Sequence, residues 1–540
     1  MSLLKFFQKN VTSSDILNLE WVKILLVVFI LYVIRFYYKY FTRMNPLNGP
    51  IPLPLIGNMH LFGLELSKGL KKLSKQYGNT FEIYLMTCRF IVVSDPKEVE
   101  KVFNNSPKNK FFNRPELGSL HEYKMNTGVL FNNDYPTWRY NRKLTSQVLL
   151  SPRILKEFVT TNQQNFDKSM KYWQINYGTK KEFVVNIVEW ARAYTTDLSF
   201  KLSTSMPTYS SASYSKISLD DVKNEEGCSQ YLMDISQEFP DLTDVFFKSL
   251  IKITLIPSFI HNYFPIIKDQ QKKWIRNIFR IKEVLLVIVK ERRKEIEKEP
   301  LSKQLKPDLL TNLLVLNTEH DKNNTFGESP PMNDQQIVAN LLETILGGID
   351  STGIMVCIGL NLILAHKEVK EKMLEEINQV FADDSKRPMT YEDYEKMEYS
   401  QAVVKEALRY HTLSPVLFRQ ATSENAEIGG YNWPAGTLVA VNINGLQKNP
   451  DFWEDADQFK PERFLKDEAD RIGKYTYTPF GGGIRICPGR FVAKIAVASL
   501  LISLLRNYDI EYYEKENQLK FIDSFINIVT DFKVTLKPKN

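Results

Sequence analysis

Cysteine is scarce in this 540-residue chain. Cys88, Cys228, Cys357 and Cys487 lie far apart and form no CxxC pair or Cys/His cluster, which excludes a zinc ribbon and a disulfide framework. The folded part therefore belongs to a reducing compartment. No Gly/Ser-rich or Pro-rich linker interrupts the chain past residue 60, so one large folded unit replaces the roughly three or four domains that length alone suggests. There is no dense basic run either. A net charge of +7 does not mark a nucleic-acid binder, although a basic surface attracts an acidic protein or an anionic membrane. What the chain has is apolar surface: 43% hydrophobic and 12% aromatic residues exclude a disordered polymer.

The longest apolar run is at the start. Residues 21–34, WVKILLVVFILYVI, are apolar except for Lys23, and the aromatic run that follows extends the segment to residue 41, long enough to span a bilayer if Lys23 snorkels. No small-residue cleavage site follows, so 21–41 reads as an uncleaved transmembrane signal anchor after a short N-terminal segment, 1–20. Arg35, Lys39 and Arg43 favour a cytosolic location for what comes next. Residues 45–58, NPLNGPIPLPLIGN, hold four prolines and predict a stiff, extended hinge. Residues 59–540 form the globular part.

That part reads as mainly α with small β-sheets. Two short strands follow residue 78, then a helix capped by Asp95 with Pro96 in its first turn. Helix-period apolar patterns occupy 138–175, 231–252, 270–298, 334–380 and 391–410, with strand-like runs near 427–443 and 531–537. The polar stretches 203–218 and 317–336 read as exposed loops. The apolar segment 250–267 suits a substrate entrance, a membrane contact or ordinary core.

The most informative stretch is PFGGGIRICPGR, residues 479–490. A thiolate binds a soft or borderline metal, but it needs positive potential to persist. The apolar run after Cys487 is helical with Pro488 near its start, so the cysteine sits at a helix N-terminus, worth about 0.3–1 kcal/mol to an anion. Gly481, Gly482 and Gly483 allow the backbone to approach a flat object, and Arg485 is placed to pair with a carboxylate of that object. At these residues the chain resembles the haem-binding loop of the cytochrome P450 family, Phe-x-x-Gly-x-Arg-x-Cys-x-Gly, complete here as Phe480, Gly483, Arg485, Cys487 and Gly489.

The resemblance extends over residues 45–535. KEALRY supplies Glu406 and Arg409, and FKPERF supplies Arg463; in the family these form a buried ion triad behind the haem. WRYNR places Trp138 and Arg142 where the family binds haem propionates, and Arg419 matches a third propionate partner. The implied architecture is a single large haem-thiolate P450 fold preceded by a transmembrane helix.

A second constellation lies in residues 333–366, a predicted helix of about 50 Å capped by Asn333 or Asp334. Gly347 and Gly348 in its middle each cost about 1 kcal/mol relative to alanine, which calls for a compensating role. Asp350, Ser351 and Thr352 follow at once, and a hydroxyl there can bond back to a helix carbonyl. By resemblance this is the oxygen-binding groove, with Asp350 and Ser351 as catalytic proton carriers. Ser351 stands where the family has threonine and lacks the methyl that restricts its rotamer.

The resemblance implies a monooxygenase using haem b (iron protoporphyrin IX), with Cys487 as the metal ligand. It further implies O2, an apolar substrate, and electrons from NADPH through NADPH–cytochrome P450 reductase, met by Arg139, Lys143, Lys474, Arg490 and Lys494. The location implied is the endoplasmic reticulum membrane, single-pass, with the catalytic domain in the cytosol. Substrate-lining segments are expected at 113–131, 235–265 and 412–418. Alternatives on the same fold are an oxygen-independent haem-thiolate isomerase or dehydratase, and a non-enzymatic haem protein.

Overall fold

The computed structural model describes residues 13–539 apart from 64, 107, 116–124, 179, 218–237, 240, 244, 247–248, 250–264, 302–304, 317, 322–330, 385, 515–518 and 523–526. The apolar segment 250–267 falls largely outside them, as does half of 317–336, whose last three residues are helical rather than loop. In chain order the helices that carry the argument are α1 (Ser13–Phe41), α2 (Pro96–Val102), α3 (Tyr135–Leu149), α4 (Pro152–Tyr177), α5 (Ile187–Thr204), α6 (Pro265–Lys298), α7 (Asp334–Ala365), α8 (Lys367–Val380), α9 (Glu398–Tyr410) and α10 (Arg490–Asn507). The strands are β1 (Thr80–Leu85), β2 (Cys88–Val93), β3 (Phe183–Asn186), β4 (Val416–Gln420), β5 (Ala426–Ile428), β6 (Tyr431–Trp433), β7 (Leu438–Asn442), β8 (Tyr508–Tyr512), β9 (Lys520–Ile522), β10 (Ile528–Asp531) and β11 (Lys533–Pro538). Helix dominates, as expected.

Local signals set most boundaries. Asp95 accepts from the amides of Lys97 and Glu98 and starts α2 before Pro96. The single pattern expected over 138–175 is two helices, because Pro152 can only open a helix and not continue one. Asn333 and Gln336 form a reciprocal capping box at the start of α7. From there α7 runs unbroken for 32 residues, about 48 Å at 1.5 Å per residue. It is apolar nearly all round because it is enclosed nearly all round. By length and hydropathy it would pass for a membrane span, yet 67% of its most apolar window is buried inside the domain.

The core forms where α5, α7 and α10 meet, with Trp190, Tyr194, Ile358 and Leu501 fully excluded from water. Small residues let these helices close up: a Cβ on Gly348 would lie 2.7 Å from Ser199 Oγ of α5, and one on Gly359 would lie 2.8 Å from Leu501 of α10. This is the compensation that the central glycine of α7 calls for.

The main sheet has the order β1-β2-β7-β4. β2 and β7 are parallel, while β4 runs antiparallel to β7 with Arg419 opposite Val439. A bridge between Asn113 and Gln420 brings the chain before α3 alongside β4. β3, β11 and β8 form a second sheet that closes over α5.

The stretch 203–218 corrects one expectation. It is not an exposed loop: Thr204, Thr208, Ser210, Ser211 and Ala212 are buried. The carboxylate of Asp197 on α5 accepts from the Ser210 and Ser211 amides and from Thr208 Oγ1, satisfying polar groups that a buried turn otherwise leaves unpaired. Tyr172, Tyr209, Ala212 and Ile217 then pack as a small apolar cluster.

Candidate active site

One cavity of about 360 Å³ lies between α7 and the loop that precedes α10, and Cys487 lines it. The loop reaches this position by a tight course. Phe480 accepts from the Cys487 amide at 3.0 Å, and Gly483–Arg485 form one turn of 3-10 helix. Gly483 has φ of +67°, a left-handed conformation that disfavours a side chain, and a Cβ there would lie 2.7 Å from the backbone oxygens of Phe103 and Asn104. Gly482 and Gly483 thus serve close packing against the end of α2, and Gly481 packs against Leu417 of β4. Gly489 is the one with open space where a Cβ would be, and it lines the cavity.

Cys487 stands two residues before Gly489, the N-cap of α10, so Pro488 precedes the helix rather than opening it. Burial pushes the thiol up, and the Gly489 amide and the positive charges of Arg142, Arg114 and Arg490 offset only part of that. Such a thiol loses its proton to a bound metal cation, not to solvent.

Across the cavity from the loop, α7 presents Gly347, Gly348, Ser351 and Thr352. Ser351 Oγ donates back to the Gly347 carbonyl at 2.5 Å, the expected bond, and α7 stays continuous around it. Asp350 does not line the cavity. It is buried on the side of α7 toward α5, where its Oδ1 lies 3.0 Å from Arg192 Nε. Thr195 of α5, which also lines the cavity, donates to the Ile349 carbonyl at 2.9 Å.

Four arginines converge on the same space. Arg142 lies one helical turn after Trp138 on α3, and its Nη2 donates to the carbonyl of Ile486, beside Cys487. Arg485 is buried against the rings of Phe112 and Trp138, at 4.0 and 4.6 Å, with its donors on the carbonyls of Phe112, Val129 and Asn132. Arg419, buried on β4, donates to the Phe418 carbonyl. The fourth, Arg114, has a buried Nε with no hydrogen-bond partner. The indole N–H of Trp138 donates to the Val129 carbonyl at 3.0 Å, so in this structure Trp138 acts as wall rather than as donor into the cavity.

This concentration of charge is electrostatically incomplete. Burial, then mutual repulsion, lowers Arg485 to about 8, Arg419 to about 9 and Arg142 to about 10, and burial lowers Arg114. Among the described residues that line the cavity the one acid is Glu343 on α7, which accepts from the Leu130 amide at 2.6 Å and is itself raised to about 7 by burial. One carboxyl cannot balance four guanidinium groups, so the site calls for a ligand with further negative charge. A flat dianionic porphyrin whose metal faces Cys487 fits that requirement.

Behind the site, the expected triad is assembled. Arg409 and Glu406 are fully buried and joined by two contacts of 2.7 Å, and Arg463 Nε lies 3.5 Å from Glu406 Oε1. The remaining Arg409 donors take the carbonyls of Gln447, Ala456 and Gln458.

Fold and site together define a haem-thiolate oxidoreductase. The family model for cytochrome P450 matches residues 47–536. The chain belongs to the cytochrome P450 family, and as such is a haem-dependent monooxygenase. It is 27% identical over 468 residues to cytochrome P450 2E1 of Oryctolagus cuniculus, covering 86% of this chain and 87% of that one. It is similar also to alstonine synthase of Alstonia scholaris, at 28% with 90% of each chain covered, and to germacrene A acid 8-beta-hydroxylase of Inula hupehensis, at 26% with 85% of each covered.

Proposed function

We propose that the chain is a monooxygenase of the endoplasmic reticulum, held by a single pass of α1 with residues 59–540 as a cytosolic catalytic domain. It inserts one atom of O2 into an apolar substrate, with electrons from NADPH delivered by NADPH–cytochrome P450 reductase. The observation that carries this reading is the opening of Cys487 into one cavity with four under-compensated arginines on one side and the Ser351 hydroxyl on another.

In this assignment Cys487 would hold the iron of bound haem, with Phe480 and Gly489 flanking it. Arg114, Arg142, Arg419 and Arg485 take the propionates, and Trp138 packs at that edge. Bound haem supplies the activation of dioxygen and the oxidation of the substrate. Ser351 Oγ, bonded here to the Gly347 carbonyl, is the hydroxyl that would hand on a proton within the cavity. Asp350 turns from Arg192 to reload that hydroxyl. Leu198, Leu202, Val404, Leu413 and Leu417 exclude water and favour an apolar substrate. Of the expected lining segments, 113–131 contributes Arg114, Val129 and Leu130, and 412–418 contributes Leu413, Ser414 and Leu417, whereas 235–265 lies mostly outside the described residues.

The basic residues near the haem loop, Arg139, Lys143, Lys474, Arg490 and Lys494, are the candidates for steering an acidic reductase, and Lys474 is paired with Glu100. The hydroxylase among the relatives supports oxygen insertion. The test is reconstitution in bilayers with the reductase, NADPH and isotopically labelled O2 over a panel of apolar substrates. The expected product carries one labelled oxygen and requires both reductase and NADPH; product formed without NADPH contradicts the assignment.

A further inference from the structure

The junction between α1 and the catalytic domain is not a free tether. Its centre is Glu82 on β1, a carboxylate 1% exposed. Arg43, just past α1, places Nε 2.6 Å from Glu82 Oε1, as an ion pair rather than an aligned hydrogen bond. From the other side Arg89 of β2 donates to Glu82 Oε2 through Nε and Nη2, at 3.0 and 2.5 Å. The same arginine donates to the carbonyls of Met44 and Asn45, at 2.8 and 2.7 Å, and the Leu47 amide adds a contact to Glu82 at 3.3 Å. Asn45 Nδ2 reaches the Asn432 carbonyl at 2.8 Å. Tyr40, in the last turn of α1, is buried under the Arg43 guanidinium and edge-on to Tyr84. Gly49 lies so close to β1 that a Cβ there would sit 2.2 Å from the Glu82 carbonyl oxygen.

The segment expected to be a stiff, extended hinge is folded back onto the sheet. Asn58, fully buried, accepts from the Tyr84 amide at 2.7 Å and donates to the carbonyls of Pro50 and Ile51. Around that inward anchor the apolar side chains point the other way. Ile51, Leu53, Leu55, Ile56, Met59 and Leu61 are 38–60% exposed within eleven residues. A run of this kind marks a surface that meets protein or lipid. Its continuity in the chain with α1, whose apolar stretch from Trp21 to Leu31 is exposed, selects lipid.

We propose that Glu82 clamps the anchor to the catalytic domain at one fixed angle and thereby holds the collar 51–61 against the bilayer as a second lipid contact. This rests on the reading of α1 as a membrane span. A buried carboxylate held by an arginine from each side fixes both to the sheet, so the clamp is an ordered joint rather than a hinge.

The test uses the full chain in phosphatidylcholine/phosphatidylserine vesicles, with benzoylphenylalanine in place of Leu55 or, as an exposed control, Ile175, which is 65% exposed. After irradiation, lipid adducts are counted by mass spectrometry, and an alkaline carbonate wash separately reports integral insertion. Expected is retention through the wash, with adducts at 55 at least about tenfold above those at 175. Glu82→Gln and Arg43→Gln are expected to stay integral and to lose adducts at 55 at least about threefold. Arg43→Gln leaves the Glu82–Arg89 pair intact and carries the test if Glu82→Gln does not fold. An integral protein without adducts at 55, or with yields unchanged in both variants, overturns the clamp and leaves the anchor standing. Release by the wash overturns the anchor, and the clamp with it.

Discussion

Arg192 Nε on α5 lies 3.0 Å from Asp350 Oδ1 on α7, and Asp350 is buried beside the cavity without lining it. In the proposed relay, an acid held this way delivers a proton only by leaving its partner, which makes the pair a gate. Asp350→Asn, which keeps the shape and loses the proton, is expected to lower turnover at least about tenfold, within the range of lost acid–base catalysis. Steady-state product formation checks this; unchanged turnover removes Asp350 from the relay.

Ser351 is tied to the Gly347 carbonyl at 2.5 Å, and without a β-methyl it can rotate away from the oxygen site. Ser351→Ala is expected to reduce product per NADPH several-fold, with the missing electrons recovered as hydrogen peroxide. Ser351→Thr is expected to match or exceed the wild-type ratio. Paired assays of NADPH, product and peroxide decide the matter, and an unchanged ratio in Ser351→Ala contradicts the role.

Glu406 and Arg409 are both fully buried, and Glu406 also accepts from the Lys460 amide at 2.9 Å. Glu406→Ala strands a guanidinium in the core, at about 3–5 kcal/mol. The expected result is poorly folded protein without haem, seen as loss of haem absorbance per polypeptide after purification. Normal haem content refutes it.

Glu343 gives a pH dependence with a definite sign. Burial raises its carboxyl from 4.5 to about 7, so between these values the folded chain holds a proton that the unfolded chain has released. Its stabilising contribution is therefore complete below about pH 4.5 and is lost as pH rises toward 7, a loss on the order of 3 kcal/mol. Glu343→Gln keeps a neutral side chain throughout. The melting temperature of apoprotein Glu343→Gln should gain on that of wild-type apoprotein from pH 4.5 to 7 and hold its lead above; a constant difference contradicts the shift.

The haem loop was legible because its chemistry is local: Phe480, Gly483, Arg485, Cys487 and Gly489 fall within ten residues. Glu406, Arg409 and Asn333 were legible for the same reason, through spacing on one helix. Arg114 was not. It sits in irregular chain and reaches Arg419 only through the bridge between Asn113 and Gln420, about three hundred residues apart in sequence. Glu343 did leave a signal, the one charge in the mostly apolar VANLLETILGG, but its partner is a backbone amide that no pattern encodes. The stretch 203–218 is polar in composition and yet mostly buried, because Asp197, before it in sequence, supplies the partners that allow burial. Glu82 looked like any polar strand residue. Only the fold brings Arg43 and Arg89 to opposite sides of it.

The central claim is that Cys487 is the thiolate ligand of bound haem. The most direct measurement is the absorption spectrum of the dithionite-reduced, full-length protein with and without carbon monoxide, alongside Cys487→Ala. A strongly red-shifted Soret band in wild type that is lost in the variant is the predicted result. An unshifted band in wild type, or a shifted band that survives in Cys487→Ala, would contradict it.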